Sequence, residues 1–176
     1  MRSSLVSFRA ARVITTVVVL LFTRAGIANE GSSQVVPCDA PTAKHQLWLV
    51  NTRGASSCPS IEQTSRLRFW RCDPDYQWRK SSVNEVLAAD DPETTTLIYV
   101  HENRVSEAES FGRAVQVFQQ LSKFSPPEKR FRLIAVSWPS ARIGHRQRPD
   151  VQIKSQRSEV HGFYLAWLVD QIHPDV

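Results

Sequence analysis

Two short apolar runs, separated by a capped helical period, constrain this chain more than any other feature. Thr94-Thr-Thr-Leu-Ile-Tyr-Val100 and Phe131-Arg-Leu-Ile-Ala-Val-Ser137 are rich in β-branched residues. Both carry continuous apolar stretches, as strands covered on both faces do. Between them, Ser106-Glu-Ala-Glu109 is a capping box, with a serine able to cap and a glutamate three residues on. Phe111, Ala114, Val115, Phe118 and Leu121 then recur at helical spacing, which predicts a helix over 106–122 that ends before Pro126-Pro127. Parallel strands need a crossover connection, and this helix supplies one. The segment is therefore a β-α-β unit, and the chain belongs to the α/β class.

The flanking sequence extends that unit. Gln46-Leu-Trp-Leu-Val-Asn-Thr52 reads as a strand, and Arg66-Leu-Arg-Phe-Trp-Arg-Cys72 alternates at period two like a half-buried strand. A loop with Gly54 and Pro59 separates them, so an antiparallel pair is expected. Asp73 to Lys80 reads as a connection and Ser82 to Ala89 as a short helix. After Trp138-Pro139 and a basic loop, Val160, Phe163, Tyr164, Trp167, Leu168 and Ile172 mark one face of a helix from about Val151 to Ile172. The succession is an antiparallel pair followed by β-α-β-α. A crossover of that size should lead to another strand, whereas the sequence closes at Asp175-Val176.

The first residues follow a different logic. Arg2, Arg9 and Arg12 precede an apolar run from Val13 to Phe22, and Gly26-Ile27-Ala28 places small residues where a signal peptidase reads. Residues 1–28 are thus expected to be a secretory signal, 29–45 a loose polar lead-in, and 46–176 the domain. An apolar run of about 10 residues is half of what spans a bilayer, so an anchor formed by residues 13–22 is the lesser reading. Membrane contact is then transient, and the location periplasmic or extracellular.

Charge has to be counted after that division. The whole chain has 22 Lys+Arg against 17 Asp+Glu, but residues 1–28 hold four arginines and no acid. Without them, 18 basic residues face 17 acids, a net of +1, and nucleic acid loses its support as a partner. One basic stretch survives: Lys129, Arg130, Arg132, Arg142, Arg146, Arg148, Lys154 and Arg157 face only Asp150, and read as a solvated loop and helix start. Cys38, Cys58 and Cys72 are too widely spaced for a zinc site. If the first two strands pair, Cys72 returns towards the residues before Gln46, which makes Cys38–Cys72 the candidate disulfide.

Catalytic motifs are few. The chain has no G-x-S-x-G; Gly54-Ala-Ser-Ser-Cys58 fails at its last position. His101-Glu102 opens an H-E-x-x-H that ends in Val105, so no zinc pair follows. There is no P-loop and no G-x-G-x-x-G, and no cofactor is expected. Of five histidines, His45, His145, His161 and His173 read as ordinary surface or helix-end residues. His101 differs because it ends a buried parallel strand, outside which open α/β sheets bind their ligands.

Leu97-Ile-Tyr-Val-His101-Glu102-Asn103-Arg104 resembles the strand-to-loop H-G-N segment of the α/β-hydrolase superfamily. Val136-Ser-Trp-Pro139 and Tyr164-Leu-Ala-Trp167 also look like exported bacterial hydrolase-like proteins. The resemblance runs over roughly residues 46–176. It implies an incomplete α/β-hydrolase-like sheet, with 46–72 as the first two strands, 95–100 the third and 131–137 the fourth. It makes the loop His101, Glu102, Asn103 the oxyanion-hole candidate, with one backbone N–H as donor. Glu102 stands where the family has glycine, which sets a side chain in a tight turn and a negative charge near an oxyanion. The family's nucleophile, acid and triad histidine would all lie beyond Val176.

The resemblance therefore implies a truncated, exported hydrolase-like protein without hydrolase activity of its own. A small ester-like substrate becomes a partner only if a missing half completes the site. An open sheet edge is expected where the next strand belongs. The alternatives are a non-catalytic exported binding or interaction module, and a hydrolase completed by a second polypeptide.

Overall fold

The computed structural model describes residues 18–20, 44–143 and 147–172, with side chains for 44–143 and 149–172. In chain order the strands and helices are β1 (Val18–Leu20), β2 (Gln46–Asn51), β3 (Arg68–Cys72), β4 (Trp78–Ser81), α1 (Val83–Ala88), β5 (Thr94–Val100), α2 (Glu107–Phe124), β6 (Arg130–Ser137) and α3 (Gln147–Ile172). A short 3-10 turn, Glu62–Arg66, lies before β3. The fold is mixed α/β. Five strands from residues 46–137 form one sheet in the order β5-β6-β2-β3-β4, and β1 extends it at the β5 edge.

β5 and β6 are parallel, in register from Thr94↔Arg130 to Val100↔Val136, with α2 as their crossover. β2 lies inside the sheet, parallel to β6. It also pairs antiparallel with β3, Leu47 opposite Cys72. Three parallel strands thus end side by side.

The alternation of β2 divides the core. Leu47 and Leu49 join Tyr99, Leu133, Ala135, Ala114 and Phe118 on the α2 face. Trp48 and Val50 join Ile134, Val86, Tyr164, Leu168 and Ile172 on the face covered by α1 and α3. The apolar positions expected on the two long helices all pack against these clusters. Both serine caps form: Ser82 accepts from the Glu85 amide, and Ser106 and Glu109 close their capping box.

Arg132 is the anomaly of the core, a guanidinium with no exposed surface on a central strand. Its Nη1 donates to Val86 O at 2.8 Å, and its Nη2 donates to Thr96 Oγ1 at 2.8 Å and to Asp90 Oδ1 at 2.6 Å. Burial of such a charge is tolerated only when its donors are matched in this way.

Four expectations change. Residues 78–81, read as connection, form β4 against β3, closed by a turn in which Tyr76 adopts φ 60°. α3 begins at Gln147, because proline is accommodated in a first turn and Pro149 does not stop the helix. The basic stretch is not one solvated surface: Arg132 is buried among its partners, and Lys154 is buried in an ion pair with Asp150. The β5 edge is not left open, since Val18–Leu20, inside the run read as a signal, pairs with Leu97–Tyr99. Cys38 lies outside the described residues, as do most of 1–28 and 29–45, so the Cys38–Cys72 pair is not placed; Cys72 carries a free thiol. Burial, and then Asp73 and Asp75, push that thiol up to about 11. Among the described residues no helix is long and apolar enough to cross a membrane.

Candidate functional site

The C-terminal ends of β2, β6 and β5 deliver three short segments to one place: Thr52-Arg53, Trp138 to Ser140, and His101 to Val105. They are laced together. Thr52 N donates to Ser137 O at 2.9 Å, and Arg53 Nε donates to Ser137 Oγ at 2.9 Å. Arg53 Nη2 reaches across to Val105 O at 2.9 Å. Asn51 Nδ2 donates to Glu107 Oε1 at 2.6 Å, tying β2 to the first turn of α2.

His101 stands at the centre and is 4% exposed. Its hydrogen bonds determine its tautomer. The Trp138 amide, a donor only, lies 3.3 Å from Nε2, and Arg53 Nη2, also a donor only, lies 3.4 Å from it. Nε2 must therefore hold a lone pair, and Nδ1 carries the proton that it donates to Glu102 O at 2.9 Å. Burial lowers the imidazole pKa, and Arg53 opposes protonation further. The ring is neutral, both nitrogens are engaged, and Trp138 Nε1 holds the His101 carbonyl at 3.0 Å. His101 is a structural tie between the two loops and not a free base.

Ser140 performs the same work from the other side. Fully buried, its Oγ lies 3.2 Å from Glu102 O, Val105 O and the Val105 amide. Its carbonyl accepts from Arg104 N at 2.8 Å. Arg104 is the residue of this turn in the left-handed region, φ 68°, and such a conformation costs a non-glycine residue about 1 kcal/mol or more. The glycine-requiring position is thus 104 and not 102.

Glu102 does not obstruct the turn. Its carboxylate accepts from Tyr99 OH at 3.3 Å and lies 3.6 Å from Arg113 Nη2 on α2. Burial, then the adjacent carboxylate, push the Tyr99 hydroxyl up to about 12. Asn103 is exposed, and its Oδ1 accepts from the Arg104 amide at 2.8 Å. The structure thus brings the expected trio into one loop with distinct duties: His101 holds it from within, Glu102 is turned to α2, and Asn103 faces outward.

Sequence reasoning missed the partners. Arg53, Trp138 and Ser140 each lie in the short segment just after a strand end, and that position was the available signal. Next to Arg53 a cleft of about 520 Å³ opens between the β2–β3 loop and the first half of α3, with Arg157 and His161 in its lining. His161 was expected on the surface, yet it is 9% exposed; its spacing to Tyr164 and Leu168 places it on the inner helix face. Among the described residues no group of His, Cys, Asp and Glu could hold a metal ion. No protein-family model, no curated protein and no solved structure matches this chain.

Proposed function

We propose that residues 46–176 supply the oxyanion-loop part of an exported α/β-hydrolase-like protein, and that these residues turn over no ester by themselves. The observation that carries this reading is the loop His101–Val105 at the ends of three parallel strands, locked from inside by His101 and Ser140. With the imidazole engaged in holding the loop, backbone N–H groups are the chemistry left to it. An amide near Asn103 is the donor in this reading, and the Arg113–Glu102 pair moderates the nearby charge. Nucleophile, acid and base would have to come from outside these residues, because no G-x-S-x-G occurs among them. Without nucleophile, acid and base, these residues should not raise ester hydrolysis above the buffer rate.

The test is esterase turnover of a p-nitrophenyl ester by the purified chain. Hydrolysis at the buffer rate is expected. Turnover by the parent chain well above it would overturn the reading, and its persistence in both His101→Ala and Glu102→Gly would place the chemistry away from this loop.

A further inference from the structure

The cleft beside Arg53 has a chemistry of its own. One wall is the β2–β3 loop with Ala55 and Ser57; the other is α3, with Ile153, Arg157, Val160 and His161. Its volume of about 520 Å³ lies within the range of small-molecule sites. Arg157 Nη1 donates to Pro139 O at 3.3 Å, which orients the guanidinium and leaves its other donors to the cleft. His161 is nine-tenths buried, and its Nδ1 has no hydrogen-bond partner. Such an orphan costs free energy unless a ligand or water satisfies it.

We propose that this cleft binds an organic acid, with its carboxylate between Arg157 and His161 and its apolar body along Ile153 and Val160. A planar guanidinium matches a carboxylate with two parallel N–H donors. Arg53 adds a second positive charge from the β2 end, so an anion is favoured over a neutral ligand. The aliphatic side chains argue for an apolar body behind the head group. A phosphate is less well served, since the wall is made of side chains rather than a row of backbone amides. Burial, and after it Arg157 and Arg53, lower the His161 imidazole to about 4. A bound anion opposes those two charges and should raise it. The site shares Arg53 with the oxyanion loop but needs no nucleophile, so it holds whether or not one is ever supplied.

The experiment follows the His161 ring by NMR through a pH titration of the purified chain, with benzoate, its neutral isostere benzamide, or inorganic phosphate. Benzoate should bind saturably and move the His161 titration upward by about one pH unit. Arg157→Gln should weaken benzoate by about tenfold. Ile153→Glu, which places a like charge on the wall and removes no hydrogen bond, should abolish binding. The proposal is overturned if benzamide binds as well as benzoate, if phosphate alone reproduces the shift, or if benzoate binds both variants as it binds the parent. Absence of saturable benzoate binding to the parent chain would overturn it as well.

Discussion

The two long helices cover opposite faces of the sheet by different means. α2 is seated along its length by apolar contacts, with Phe111, Ala114, Val115, Phe118 and Leu121 in one cluster with the sheet and Phe111 edge-on to Trp70 and Trp78. Its start is closed by a complete capping box. α3 contributes buried apolar residues to the core only from its second half, with Tyr164, Leu168 and Ile172. Its first half is held by polar ties: Lys154 Nζ donates to Asp150 Oδ2 at 2.8 Å, and the Ile143 amide donates to Asp150 Oδ1 at 2.8 Å. Apolar seating excludes space, whereas a few polar struts hold a helix at a distance from the sheet. The cleft lies where α3 is strutted, whereas the hollow at the end of α2, lined by Leu121, Phe124 and Ser125, has about 250 Å³.

The comparison can be broken first at the apolar seat. Phe118 has no exposed surface, and Phe118→Ala should cost about 4 kcal/mol, read as a fall in the urea midpoint without loss of slope. Arg132→Ala leaves the Thr96 hydroxyl and Val86 carbonyl unmatched on the opposite face, but the freed Asp90 carboxylate is 43% exposed and can rehydrate. A loss of about 3 kcal/mol is expected in the same measurement. Ser106→Ala removes one half of the α2 capping box and should cost about 1 kcal/mol. The polar strut completes the set. Asp150→Asn leaves the Lys154 ammonium, only 4% exposed, without its counter-charge, so it should lower the thermal midpoint and also speed amide exchange in the first turns of α3. Equal protection there before and after the change would show that apolar contacts seat this half too.

Acid should separate the two halves of α3. The Asp150 carboxylate is held below its ordinary range by hydrogen bonds from Lys154 and the Ile143 amide, so the strut persists until strongly acidic pH. His161 responds in the same direction but at higher pH. Unfolded, it takes up a proton as pH falls through 6.5; folded, it does so only near about 4. Between those values the unfolded chain binds more protons, so stability is full above 6.5 and is lost as pH falls towards 4. His101, also lowered, adds to the loss in the same direction. His161→Gln should flatten the fall in urea midpoint between neutral pH and about pH 5. An unaltered slope would mean that His161 is not the group responsible.

The elements legible in the sequence are those encoded locally. The α2 cap is four residues long, and the burial of β5 and β6 is written in their own apolar runs. What escaped depends on partners far along the chain. β4 is Trp78-Arg-Lys-Ser81, too short to show a period, and is a strand only because β3 lies beside it. His161 and Arg132 look like surface residues by type, since nothing near them in sequence announces Val86 O or the β2–β3 loop. For the loop His101–Asn103, position was readable and duty was not. The ring's role is fixed by Trp138 and Ser140, nearly forty residues away.

Arg132 has one more consequence. The strands it lies among are chemically monotonous, and Leu-Ile-Ala-Val could pair with Leu-Ile-Tyr-Val in several offsets of similar apolar gain. Its guanidinium is matched in one offset only, the one that sets it opposite Thr96 and under the end of α1. A slip of one residue would turn it into the α2 core, with its donors unmatched and its charge bare. The arginine acts as a proofreader of strand alignment, rejecting misaligned sheets that the apolar residues alone would accept.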